Sequence, residues 1–264
     1  MSPLEPSLTS AGDDCDPTRL AHVMSALDLV FDPELDEPIT SMGFIEAVTL
    51  RGRRVDITFR LPTFWCSANF AYLMASDMRE AVERLGFVDE ARVRLVDHFA
   101  ARRINQGVAA GLGFAATFVG EAESNLDDIR RAFRERAFLG RQERLLQQLA
   151  EHSWSVEAML ALDVADLESL CAHDDPEIRG AATSYLAIRR HEGGSAEASD
   201  PAFIMLAGAP IRPEMCAAHR RNSRRICSTA AANAEMCRIQ LQARLSHPAP
   251  GCEPGQRKDE GDHE

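Results

Sequence analysis

Between Asp32 and Cys66 the chain gathers residue types that handle metals. Asp32-Pro33-Glu34-Leu35 is followed by Asp36 and Glu37, and a single cysteine closes Thr63-Phe64-Trp65-Cys66. Cys66 falls where a predicted strand gives way to a predicted helix. Unpaired backbone N–H groups at a helix start favour an anionic sulfur, the form that attacks electrophiles and ligates metals. Thr63 places a hydroxyl within hydrogen-bonding reach of that sulfur, and the four carboxylates are expected at the same end of the sheet. One thiol among carboxylates suits metal handling or protein recognition better than ordinary catalysis. A thiol enzyme needs a base, and no histidine stands near Cys66 in sequence. The competing reading is a cysteine that fills a gap in the core.

The elements that must position these residues are legible from periodicity. Pro17 suits a first helical position, and Leu20, Val23, Met24, Leu27 and Val30 recur at helical spacing up to Pro33. Phe44 to Leu50 reads as a strand, and Arg51-Gly52-Arg53 as a tight connection. From Arg54 to Leu61, Val55, Ile57, Phe59 and Leu61 alternate with Arg54, Asp56, Thr58 and Arg60, predicting a strand buried on one face. Phe70, Leu73, Met74, Met78, Ala81, Val82 and Leu85 form the stripe of a second helix. Ala91 to Val96 reads as a third strand. The fold class predicted is α+β: a helix–strand–strand–helix–strand domain over 17–98, with its helices on one face of the sheet, followed by an all-helical region.

The rest of the chain is read more coarsely. Residues 1–16 form a polar, disordered lead-in and 99–123 a Gly/Ala-rich connector. A long helix should open at a capping-box pattern, Ser124 to Asp127, and run to about Glu151. Further helices are expected over 156–170, 176–190 and 213–245 within a helical region spanning 124–246. A charged tail, also read as disordered, occupies 247–264. Gly111-Leu112-Gly113-Phe114-Ala115-Ala116 resembles a dinucleotide fingerprint but lacks the preceding strand, so it reads as connector. Cys216, His219, Cys227 and Cys237 invite a zinc reading, but on one helix they cannot converge on a single ion.

Composition narrows the partners. The 264 residues carry a formal charge of −12, which argues against nucleic acid. Arginine supplies nearly all the positive charge, with Lys258 the only lysine, which reads as genome bias. The seven cysteines are odd in number and loosely spaced, and no secretory signal opens the chain. A reducing cytoplasm is therefore expected. The longest apolar run, Val108 to Val119, is too short for a membrane span.

Leu27 to Val96 resembles the iron–sulfur cluster assembly factor domain, the SufT- and PaaD-like proteins. The shared pattern is a helix, then Asp32-Pro33-Glu34-Leu35, then Gly43-Phe44 leading into a hairpin, then Thr63 and Cys66 at the head of the second helix. The pattern departs in two places: Ser67 stands where the family usually has proline, and Thr63 is one residue closer to the cysteine than usual. The bulky Phe64-Trp65 pair in that loop suggests a specialised branch with its own client surface. The resemblance implies a non-enzymatic role in iron–sulfur cluster assembly or transfer, or in iron insertion. Cys66 carries over as the ligating or transfer thiol, and Asp32, Glu34 and Thr63 as the motif residues around it. Because a cluster normally takes four protein ligands, iron at Cys66 would be shared across a homodimer, completed by a client, or held transiently. The expected partner is the iron–sulfur assembly machinery or a dedicated client metalloenzyme, such as a bacterial iron-dependent oxygenase, contacted through Phe64 and Trp65. Neither nucleic acid nor membrane is expected as a partner. The alternative is a metal-free adaptor or chaperone in which Cys66 is structural.

Overall fold

The computed structural model describes residues 6–10, 16–119, 126–192 and 194–246. The first unit is built on a sheet of order β1-β4-β5-β6. It comprises β1 (Ser7–Ser10), β4 (Ile45–Arg51), β5 (Arg54–Arg60) and β6 (Glu90–Val96). Between β1 and β4 come α1 (Pro17–Leu27) and a small hairpin of β2 (Phe31–Asp32) and β3 (Glu37–Pro38). The β4–β5 pair is antiparallel, and β6 runs parallel to β5 after α2 (Ala68–Glu83) has crossed the sheet. Val48, Leu50, Val55, Ile57, Phe59, Val93 and Leu95 point into a core shared with Val23 and Leu27 of α1 and Met74, Met78 and Val82 of α2. The opposite face is wet, and Arg60 there pairs with Glu46 across the β4–β5 hairpin. The sheet is thus covered on one face by helices, as the alternation in β5 requires.

The structure extends this unit beyond the expected limits. Ser7–Ser10, read as lead-in, adds a parallel edge strand to β4. The stretch expected as connector folds into α3 (Ala101–Ala109) and α4 (Phe114–Thr117). Ile104, Val108, Phe114 and Phe118 from it enter the same core. Helix formation there is driven by that burial: four large apolar side chains outweigh the low helix propensity of the intervening glycines. Ser124 and the tail over 247–264 lie outside the described residues.

The second unit is helical. It contains α5 (Leu126–Glu151), α6 (Val156–Leu160), α7 (Val164–Leu170), α8 (Pro176–Arg189) and α9 (Pro213–Ser246). The stretch expected as one helix over 156–170 is two. Asp163 starts α7 with a capping box to Asp166, and this local bonding interrupts the helix. Asp175 caps α8 through the N–H groups of Glu177 and Ile178, with Pro176 at the first helical position. A separate core includes Phe138, Leu145, Leu149, Leu167, Tyr185 and Phe203. No helix of the described residues is long and apolar enough to cross a membrane.

Two ion pairs tie α5 to the first unit. Arg141 makes a bidentate contact with Asp36, at 2.6 and 2.9 Å, while stacking over the Phe31 ring. Arg130 bonds Asp77 of α2 at 2.7 Å.

Candidate functional site

Cys66 sits in the β5–α2 loop, one residue before the Ser67 cap of α2. Its thiol is half-buried, and its Sγ lies 3.2 Å from the Thr63 hydroxyl. That hydroxyl also accepts the Trp65 N–H at 3.3 Å, which closes the Thr63–Cys66 turn on itself. From the end of β6, buried His98 donates through Nε2 to the Cys66 carbonyl at 2.8 Å. Its Nδ1 accepts the Ala100 N–H at 3.2 Å, so the bonding pattern assigns a neutral ring protonated at Nε2. Burial agrees, pushing the imidazole pKa below its usual value against the opposing pull of the Cys66 carbonyl. The alkylation or ligation chemistry of Cys66 therefore has no base in His98, whose two nitrogens are both engaged with backbone.

The neighbouring aromatics face outward. Trp65 is 73 % exposed, Phe99 50 % and Phe64 40 %. Trp65 stacks on Phe99 with centroids 5.6 Å apart, and Phe64 meets Trp65 edge-on at 4.9 Å. The Phe99 N–H donates to the Phe64 carbonyl at 3.2 Å, joining the two loops that carry this patch. Sequence reasoning identified Phe64 and Trp65 but missed Phe99. Its signal was its place directly after His98 at the end of the third strand.

The acidic loop is divided rather than gathered. Asp32 is 8 % exposed, and its Oδ1 accepts the N–H groups of Glu34 at 2.9 Å and Leu35 at 3.0 Å. It is the turn-former of its own motif. Burial raises its carboxyl to a pKa of about 6, more than those two N–H bonds lower it. Asp36, in the left-handed region at φ 54°, turns away to Arg141. Glu34 is exposed, and Glu37 lies 3.8 Å from Arg238.

Arg238 belongs to α9, and its neighbour Cys237 was read from the sequence only as a member of a rejected zinc set. Cys237 packs against the same core as Cys66. Burial, followed by the nearby Asp32, Cys66 and Glu34, pushes its thiol up to about 11. The other members of the zinc reading go elsewhere. Cys216 is buried in the helical core, His219 bonds Gln142 at 2.6 Å, and Cys227 points at the Gly140 carbonyl at 3.5 Å. Among the described residues no three His, Cys, Asp or Glu side chains are grouped to hold a metal ion. Cys66 and Cys237 are two thiols where a cluster takes four protein ligands. A cleft of 730 Å³ between α1, α2 and α5 is lined by Phe31, Asp32, Arg130 and Phe133 among others, and Cys66 does not open onto it.

The unit that carries this thiol has a counterpart among known families. Residues 20–94 match the family model of the iron-sulfur cluster assembly protein. The match covers the N-terminal third of the chain, includes both the Asp32 turn and Cys66, and points to a role in iron–sulfur cluster assembly. No curated protein and no solved structure matches the chain. The matched residues thus include Cys66 and the Asp32 turn, and α3 to α9 lie outside the match.

Proposed function

We propose that this protein is a non-enzymatic maturation factor that assists assembly or transfer of an iron–sulfur cluster, or iron insertion, for a client metalloenzyme. The observation that carries this reading is the position of Cys66: inside the matched domain, at the head of α2, next to Trp65 and Phe99 on the surface. Cys66 is the transfer or ligating thiol, and Thr63 orients its sulfur. Iron or the cluster is cargo here. Its remaining ligands come from a partner molecule, since among the described residues no three His, Cys, Asp or Glu side chains are grouped to hold a metal ion. The stacked Trp65–Phe99 pair is the client anchor, because exposed aromatics that become buried contribute most to binding. Asp32 and Glu34 support the site, Asp32 through the turn it holds together.

A metal-free adaptor is the second reading, favoured by the half-burial of Cys66 and its hydrogen bond to Thr63. Iron and acid-labile sulfide content, measured anaerobically for wild type and Cys66→Ala, separates the two. Iron with sulfide that disappears in the variant supports the carrier; neither in either protein leaves the adaptor.

A further inference from the structure

Helix α9 is one continuous rod that serves two cores. Its inward residues follow a strict alternation of four and three: Cys216, Arg220, Ser223, Cys227, Ala230, Ala234, Cys237, Leu241 and Arg244. The first of these dock on α5, where buried Glu143 receives Arg220 at 3.0 Å and Arg224 at 2.7 Å. The last of them leave the helical core and join the core of the assembly-factor domain, with Ala234 and Leu241 fully packed there.

The contacts of this C-terminal half reach Gly43, the Leu61 end of β5 and Asp97, which precedes the His98 that bonds the Cys66 carbonyl. A Leu241 methyl lies 3.7 Å from the place a Cβ would occupy on Gly43. Arg244 donates to the Leu61 carbonyl at 2.9 Å, in the loop that leads to Cys66, and to the Asp97 carbonyl beside His98. Its guanidinium also pairs with the Asp97 carboxylate, which Arg60 shares at 2.6 Å. Arg238 lies 3.8 Å from Glu37. Cys237 packs against the same core as Cys66. On the outer side of the same turns, Met236 and Ile239 are exposed. The domain thus offers a groove with an apolar floor at Gly43 and an acidic rim at Glu37 and Asp97, and an amphipathic helix lies in it with Arg238 and Arg244 turned to that rim.

We propose that this groove is the docking site for a basic amphipathic helix of the client, and that the C-terminal half of α9 occupies it in cis until the client displaces it. The proposal deepens the maturation-factor reading and rests on it for the identity of the partner. The chemistry of the occupant defines the chemistry of the competitor: a leucine-sized side chain against Gly43, and an arginine one turn later that reaches Asp97 and the Leu61 carbonyl. A side chain at the Cys237 position of such a helix would enter the core against which Cys66 packs. Acidic rims select basic helices by complementarity, and a groove reading an amphipathic helix through spaced anchors is a recurrent recognition mode. The Glu143 clamp keeps the first half of α9 in place, so release of the second half is local rather than global.

The test uses the full chain. Iodoacetamide alkylation of Cys66, read by peptide mass, is compared between wild type and the double variant Arg238→Ala/Arg244→Ala. A labelled peptide with the sequence of residues 230–246 is titrated onto both. Cys66 should react about tenfold faster in the variant, and the variant should bind the peptide about tenfold more tightly. Cys216, buried in the other core, should keep its wild-type rate. Unchanged Cys66 alkylation with equal peptide binding would overturn the proposal. Hydrogen exchange on the unmodified wild type gives a reading free of any folding defect: residues 234–245 should exchange faster than 216–227, and equal rates would also overturn it. Either result is independent of the iron assay. Absence of iron sinks the carrier reading while leaving the groove, and unchanged alkylation does the reverse.

Discussion

His98 holds the Cys66 loop by its backbone: the imidazole Nε2 donates to the Cys66 carbonyl at 2.8 Å, while Nδ1 accepts the Ala100 N–H at 3.2 Å. A single buried ring thus ties the head of α2 to the exit of β6. It also fixes the spacing between Phe64-Trp65 and Phe99, because the two aromatic loops meet on either side of it.

His98→Ala should therefore cost about 1–3 kcal/mol, the penalty of leaving buried backbone groups unpaired. The cost should depend on pH. Burial holds the imidazole below its ordinary value of 6.5, so the folded state binds fewer protons than the unfolded chain. That contribution is complete above about 6.5 and is lost as pH falls from there through the lower value of the folded imidazole. Urea unfolding at pH 8 and pH 5 should show a larger difference between wild type and variant at pH 8. An equal difference at both would show that the ring titrates in the fold as it does in the unfolded chain.

Asp32 carries the opposite sign. Its carboxyl is raised from 3.8 to about 6 in the fold, so the folded state binds more protons than the unfolded chain between those values. The stabilisation is present below about 4 and is lost as pH rises through about 6. Asp32→Asn keeps the oxygen that accepts the Glu34 and Leu35 N–H groups and removes the buried charge. The variant should be more stable than wild type by about 2–3 kcal/mol at pH 8 and close to it at pH 4. A variant less stable at pH 8 would mean that Asp32 is ionised in the fold and paired with something beyond those two N–H groups.

The parts of this architecture that were legible are those whose burial is periodic. Arg54 to Leu61 alternates without a break, and β5 follows it to Arg60. The stripe from Phe70 to Leu85 contains α2. The spacing of Thr63 and Cys66 anticipated the contact between them, and the family pattern identified the domain matched over residues 20–94. The helices α3 and α4 escaped because glycines and alanines surround Ile104, Val108, Phe114 and Phe118, and composition hid four core residues. The role of α9 escaped for a different reason. Its alternation of four and three is made of Cys, Arg, Ser and Ala as much as of Leu, so a search for apolar periodicity passes over it. Asp36 was grouped with the site because spacing alone cannot show that a left-handed turn sends it to Arg141.

Gly43 is required by its backbone more than by its neighbours. Its φ of +74° lies in the left-handed region, and a Cβ there would meet Leu241 at an ordinary contact distance of 3.7 Å. Gly43→Ala should cost about 1–2 kcal/mol, the strain of a side chain in that region, with no further steric term. Gly86→Ala is the control: it has no positive φ and nothing within 4 Å of its added methyl. Thermal unfolding of the two variants should separate them clearly, and an equal shift would show that the Gly43 turn relaxes.

The clamp on the first half of α9 is the largest electrostatic commitment in the helical unit. Glu143 is 2 % exposed and accepts from Arg220 through both Nε and Nη2 and from Arg224 through Nε, at 2.7–3.1 Å. Removing one partner of a buried pair strands the other, so Glu143→Ala should cost about 3–5 kcal/mol. Arg224→Ala should cost far less, because its side chain is 55 % exposed and solvent screens it. Replacing both members of the buried pair, as in Glu143→Met with Arg220→Leu, should recover most of the loss, since two apolar side chains need no partner. The coupling from this double-mutant cycle measures how firmly α9 is held where its first half docks. Faster Cys66 alkylation in Glu143→Ala at a temperature where the protein remains folded would mean that the two halves of α9 leave together. An unchanged rate would mean that the contacts at Gly43, Leu61 and Asp97 hold the second half by themselves.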